Sequence, residues 1–234
     1  MKHNNAKLKI FPTILIFSFS FLVFSLSNAQ SAPQFLASWK ADSYVPSWYG
    51  GKALPSAGSN IEISFNLIDG GKIVDLSKTK VRWYINDELT VNEESGLGIK
   101  TLKFKAPQEV VGEIEIKIVV IGYKETEIEK FITIPIEKVE VVIDSPRYDQ
   151  KISREKNFFR GIPFFFNILK ISNLSVKWIA NERNPENIGV DPWRLDLNID
   201  TQAPSGFEID LKVEVHNVLN QLEFAGKNIK LQIR

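Results

Sequence analysis

Two stretches of this chain repeat one another at a single offset, and that constrains its fold more than any other feature. Val81-Arg82-Trp83-Tyr84-Ile85-Asn86 matches Val176-Lys177-Trp178-Ile179-Ala180-Asn181, with Trp83 and Trp178 95 residues apart. Gly112 to Ile121 alternates Ile114, Ile116, Ile118 and Val120 with Glu113, Glu115, Lys117 and Val119. Glu208 to His216 alternates Ile209, Leu211, Val213 and Val215 with Asp210, Lys212, Glu214 and His216, again 95 residues on. Strict alternation places apolar side chains on one face of a strand and polar ones on the other, so both runs read as half-buried strands. Around them, Ile63–Ile68 resembles Phe164–Leu169, Thr101–Phe104 resembles Arg194–Leu197, and Phe131–Ile136 and Asn228–Ile233 close each copy. No helical period extends over ten residues. A repeat of 95 residues is too long for a solenoid and fits tandem domains. Six or seven short strands per copy, separated by Gly, Pro, Asn and Asp, predict two antiparallel β-sandwiches, an all-β fold.

The inward Trp on a middle strand, 31 residues before the first inward Ile of a long late strand, resembles the immunoglobulin-like and PKD-like domains of bacterial surface proteins. The resemblance covers nearly all of residues 35 to 234. It departs from antibody domains in lacking a Cys pair and the Tyr two residues before the second Cys. It implies an exported surface protein. The copies divide into residues 30–137 and 138–234, meeting near Pro135-Ile136-Glu137-Lys138. That junction has no Gly or Ser, so it predicts a semi-rigid connection.

The amino terminus sets the compartment. Lys2, Lys7 and Lys9 precede an apolar run from Ile10 to Leu26, and Ser27-Asn28-Ala29 supplies small residues. This is the order of a secretory signal peptide, here residues 1–29. Cleavage after Ala29 leaves 205 residues and lowers the net charge from +1 to −2. The alternative is an uncleaved single membrane anchor, at the short limit for a bilayer span. No Cys follows the run, so no lipoprotein anchor is expected. Either way the body of the chain is extracytoplasmic: secreted, periplasmic or on the cell surface.

Composition narrows the partners. Hydrophobic residues make up 44% and charged residues 24%, which excludes a mostly disordered chain. Lys and Arg are scattered among acids, so the clustered positive charge of a nucleic-acid binder is missing. With no Cys in the chain, disulfides, thiol nucleophiles and Cys-based zinc sites are ruled out.

Two aromatic clusters are the candidate binding residues. Trp39, Tyr44, Trp48 and Tyr49 fall in a segment broken by Pro46 and Gly50-Gly51. Loop aromatics stack on sugar rings or anchor a protein partner, and they equally serve to cap the open end of the first sandwich. The second cluster is Phe158, Phe159, Phe164, Phe165 and Phe166. Alternation sends Phe164 and Phe166 inward and Phe165 outward, where with Phe158 or Phe159 it forms an apolar patch for a partner or for the neighbouring domain. Tyr84 and Ile179 are further outward apolar positions.

Asp144, Asp149, Asp191, Asp196 and Asp200 match no calcium-loop spacing and read as surface solvation. His216 falls on the polar face of a strand with no catalytic partner in sequence. There is no G-x-S-x-G, no H-E-x-x-H, no P-loop and no dinucleotide-binding glycine pattern. Gly70-Gly71 reads as a turn, and adjacent Glu93 and Glu94 do not form a glycosidase pair. The expectation is a non-enzymatic structural or adhesive protein without metal or cofactor, contacting envelope or appendage proteins. The alternative is a carbohydrate-binding module that uses the Trp39–Tyr49 aromatics on a surface glycan.

Overall fold

The structure is a computed structural model, and it describes residues 32–234 except 93, 95, 109–111, 155 and 186–189. The expected signal segment, residues 1–29, lies outside the described residues. The strands of the first copy are β1 (Gln34–Ala41), β2 (Asn60–Asp69), β3 (Lys72–Ile73), β4 (Lys80–Ile85), β5 (Glu88–Val91), β6 (Thr101–Lys105), β7 (Gly112–Tyr123) and β8 (Thr126–Ile136). Those of the second are β9 (Glu140–Asp144), β10 (Lys151–Ile152), β11 (Lys156–Phe164), β12 (Leu174–Ala180), β13 (Arg194–Asn198), β14 (Glu208–Asn217) and β15 (Asn220–Ile233), with a 3-10 turn at Ile171–Asn173.

They form four sheets. In the first copy β1, β2, β3 and β6 make one sheet and β5-β4-β7-β8 the other; in the second, β13-β11-β9 is one and β10-β15-β14-β12 the other. Neighbouring strands such as β4 and β7, β7 and β8, β11 and β13, and β12 and β14 run antiparallel. β10 and β15 instead run parallel, through Lys151↔Gln232 and Ile152↔Ile233. The described chain divides into a small compact unit, from its first described residues to Leu36 together with Asn66–Val74, and a large one containing Ala37–Phe65 and Asp75–Arg234. The large unit contains residues of both copies.

The alternating runs bury the residues expected of them. Ile114, Ile116, Ile118 and Val120 on β7, and Leu211, Val213 and Val215 on β14, have no exposed surface, and Ile209 is buried. Val119 is buried as well, although its register puts it on the polar face. Trp83 and Trp178 are fully buried, and each indole N–H donates to a loop carbonyl at 3.2 Å, Ile99 O in one copy and Pro192 O in the other. The Phe65 ring meets Trp83 edge-on at 5.6 Å, tying one sheet of the first copy to the other.

The 95-residue offset extends to individual hydrogen bonds. Asn86 Oδ1 accepts the Glu115 N–H at 2.9 Å while the Asn86 N–H donates to Glu115 O; Asn181 and Asp210 repeat both bonds. After β4, Asn86 and Asp87 have φ of 48° and 65°, and after β12, Asn181 and Glu182 have 47° and 65°. Two successive left-handed residues make the tight turn that fits the twist of paired strands, and Asn tolerates that region better than most residues.

At one place the repeat runs differently from the sequence expectation. Ile63–Ile68 does not correspond to Phe164–Leu169, because β11 ends at Phe164. Ile63 pairs with Leu102 and Phe159 pairs with Leu195, so Phe159 takes the place of Ile63. Matching apolar runs misplaces the strand because Gly161 and Pro163 interrupt β11 like a turn. Gly161 instead lies against the core Trp: a Cβ there would touch Trp178 Cζ2 and Val213 Cγ2 at 3.4 Å. Pro163 falls where β11 has moved from β13 to β9, beyond the end of its pairing with β13, a position where a missing N–H is tolerated.

Candidate functional site

The two aromatic clusters, about 120 residues apart in sequence, meet in one place. The segment that leaves β1 runs against the end of β11. Tyr44 N–H donates to Phe166 O and Phe165 N–H donates to Tyr44 O, both at 2.7 Å. The Tyr49 ring packs edge-on against Phe164 at 5.4 Å and Phe165 at 6.4 Å, and Trp48 meets Phe164 at 6.3 Å. Tyr44 also packs against the second sandwich's core, and burial raises its phenol pKa above the ordinary value. Aromatic surface buried in this edge-on geometry adds to the area removed from water, so the contact is cohesive.

A polar cluster lies beside it. Ser56 and Ser59 have 2% and 1% of their surface exposed. Ser56 Oγ donates to Phe165 O at 2.7 Å, and Ser59 Oγ donates to Asn167 Oδ1. Asn167 Nδ2 returns a bond to Ala57 O at 2.8 Å, while its backbone N–H donates to Glu223 Oε1 at 2.7 Å. Asn217 Nδ2 donates to the other Glu223 oxygen, and Glu137 N–H donates to Pro55 O at 2.8 Å. Among the described residues no buried side-chain N or O lacks a partner. Such a network stabilises only when complete, because each unmet group would carry its full desolvation cost. Sequence spacing offers no signal for it: Pro55-Ser56-Ala57-Gly58 reads as an ordinary loop, and Asn167 and Glu223 are far away along the chain.

The candidate residues separate accordingly. Tyr44 and Tyr49 face the second copy. Trp39 is half-buried, with Lys52 Nζ 3.3 Å from its ring centre, and burial lowers the Lys52 pKa. Trp48 is 67% exposed. In the second cluster Phe158 is 52% exposed, but Phe159 is a core residue. Phe165 does not point outward: it is buried, because the strand ends at Phe164 and alternation stops there. Phe165 adopts φ 64°, unusual for a bulky residue, and its backbone is held by Tyr44 O and Ser56 Oγ. Tyr84 and Ile179 are half-buried, with Lys117 above the Tyr84 ring.

Four of the five aspartates take part in local structure. Asp149 and Asp200 accept backbone N–H groups two residues ahead. Asp191 accepts the Trp193 N–H and pairs with Arg160 at 3.3 Å. Asp196 binds Lys156 and Arg194, both at 2.8 Å, and those hydrogen bonds hold its carboxyl below the usual range. His216 stacks on Phe224 at 5.6 Å. Among the described residues no three His, Asp or Glu side chains come together as a metal site, and no helix is long and apolar enough to cross a membrane.

The strand partition defines the class. β1, β2 and β6 share one sheet and β4, β7 and β8 another, while β9, β11 and β13 share a third and β12, β14 and β15 a fourth. First, second and late-middle strands in one sheet and third and last two in the other is the partition of immunoglobulin-like and fibronectin-III-like sandwiches, present here twice in tandem. No family model matches the chain, and no curated protein matches it. Among solved structures it is similar to fibronectin(III)-like modules of Clostridium thermocellum CbhA, at 16% identity and a TM-score of 0.28, covering 84% of this chain and 93% of that one. It is also similar to the N-terminal Ig1-2 module of the Drosophila receptor protein tyrosine phosphatase DLAR, at 11% identity and 0.28, covering 86% and 98%. A third is Bacteroides ovatus SGBP-B, in complex with a mixed-linkage heptasaccharide, at 11% identity and 0.25, covering 86% and 47%.

Proposed function

We propose that this chain is an exported, non-enzymatic structural or adhesive protein, with residues 1–29 as a signal peptide and sandwiches over 30–137 and 138–234. It makes protein contacts at the cell surface or in an envelope appendage. The supporting observation is the clasp between Tyr44, Tyr49 and Phe164–Phe166, backed by the buried Ser59–Asn167–Glu223 cluster. A module that transmits load or presents contacts at fixed spacing gains from a junction already ordered before binding, because no ordering entropy is then lost on association.

The test is capture of residues 30–234 cross-linked into an envelope extract of the native cell. Recovery of defined envelope or appendage proteins is expected. Fractionation that leaves the protein in the cytoplasm with its amino-terminal residues intact overturns export and the surface role together.

A further inference from the structure

We propose that a cleft on the outer face of the second sandwich binds a neutral oligosaccharide, with Trp48 as its stacking platform and Arg160 as its central hydrogen-bonding group. This goes beyond the structural role and does not depend on it.

Two concavities meet at Arg160. One, of about 260 Å³, is bounded by Tyr44, Trp48, Ile162, Ile171 and Trp193 with Arg160 at one end. The other, of about 400 Å³, places Arg160 among Asp144, Phe158, Asp191 and Arg194. Phe158, Arg160 and Ile162 lie on the outward face of β11 by alternation, and Trp48 packs on Phe164, which is buried at the strand's end. Four residue steps from Phe158 to Ile162 at the usual strand rise give about 13 Å, enough for at least two linked sugar units.

The chemistry suits a sugar. A pyranose presents a C–H face that an exposed indole can cover, and a rim of hydroxyls that both donate and accept. Trp48 supplies the first at one end. Arg160 and Asp191, held together at 3.3 Å, offer a donor fork beside an acceptor carboxylate, both solvent-accessible, for the second. At the far end Arg194 lies over the Phe158 ring at 4.8 Å and hydrogen-bonds Asp196, so this polar surface is ordered in advance.

Charge selects the class. Lys156, Arg160 and Arg194 are matched by Asp144, Asp191 and Asp196, which leaves no net field to draw a polyanion or a cation. A protein partner would need a contiguous apolar centre, whereas the exposed apolar groups here are separated by charged ones.

The experiment titrates the purified chain with cellohexaose, laminarihexaose, mannohexaose and xylohexaose. Polygalacturonate and heparin are run alongside, with calorimetry and Trp fluorescence as readouts. Saturable binding of at least one neutral hexasaccharide is expected, weakened roughly tenfold or more by Trp48→Ala and by Arg160→Ala. Both side chains are largely exposed, but Trp48 also meets the edge of Phe164, so Trp48→Ala lowers the unfolding midpoint slightly and stays folded under the binding conditions, and Leu222→Ala, outside both concavities, should bind as the parent does. The proposal is overturned if no neutral hexasaccharide binds at millimolar concentration, if only the polyanions bind, or if Trp48→Ala binds undiminished. None of these results touches the Ser59–Asn167 junction or the export reading.

Discussion

Replacing Asn167 by Ala should loosen the junction by an amount that can be worked from its contacts. The change removes the Nδ2–H bond to Ala57 O at 2.8 Å and the Oδ1 acceptor of Ser59 Oγ, while the backbone N–H bond to Glu223 survives. Each lost bond is worth about 1 kcal/mol net, and a buried partner left unmet adds a desolvation cost of about 1 to 3 kcal/mol. The freed Ser59 O–H can turn to Ser56 Oγ at 3.2 Å, and Ala57 O is only half-buried, so the extra cost stays at the low end of that range. The expected destabilisation is about 3 kcal/mol, about 2 from the two bonds and about 1 from the half-buried carbonyl. Urea unfolding followed by Trp fluorescence measures it, since Trp83 and Trp178 report on one core each. Ser59→Ala and the double variant complete a cycle whose coupling should be about 1 kcal/mol, because the two side chains share one bond. Asn167→Asp keeps the acceptor but loses the donor and places a carboxylate near Glu223, so it should be worse than Ala at neutral pH and recover on acidification. An Asn167→Ala midpoint equal to the parent's, or strictly additive single and double variants, would refute the view that this cluster holds the two copies together.

Trp83→Ala and Trp178→Ala should each cost about 3 to 5 kcal/mol by urea midpoint, since a fully buried large aromatic is lost; an unmoved midpoint for either contradicts its core placement. Asn86→Ala and Asn181→Ala should each cost about 1 to 2 kcal/mol, from one lost side-chain bond and a left-handed residue that Ala tolerates less well. Asn86→Gly relieves the backbone and should cost less. The Asp196 pKa is lowered by its hydrogen bonds from Lys156 and then Arg194, so its contribution is complete above the ordinary aspartate range and is lost as pH falls through the depressed value. In Lys156→Ala an NMR titration of that carboxyl should move upward, with little change in overall stability because the pair is exposed.

Legibility in the sequence differs from element to element. β7 and β14 are plain, since an apolar period of two residues sustained along a run is the mark of a strand with one buried face. The Asn86 and Asn181 turns are visible as a matched pair without their meaning. β11 is misplaced because Gly161 and Pro163 look like breakers until the Trp178 ring and the change of strand neighbour are seen. The outward placement of Phe165 fails for a related reason: alternation holds only while the strand continues. Ser56, Ser59, Asn167 and Glu223 carry no local signature at all, since any loop holds such residues.

What the amino-acid order determined by itself is the class: strands, their inward faces, two copies at one offset and two buried Trp residues. These follow from local periodicity and from the need of each sheet to bury one face. What tertiary structure decided is which aromatics remain available. Tyr44 and Tyr49 are engaged, Phe159 and Phe165 are buried, and Trp48 is left beside Arg160, because only three-dimensional folding brings the segment after β1 against the end of β11. A contact between segments about 120 residues apart depends on how two finished surfaces fit, and no pattern within either segment encodes that fit.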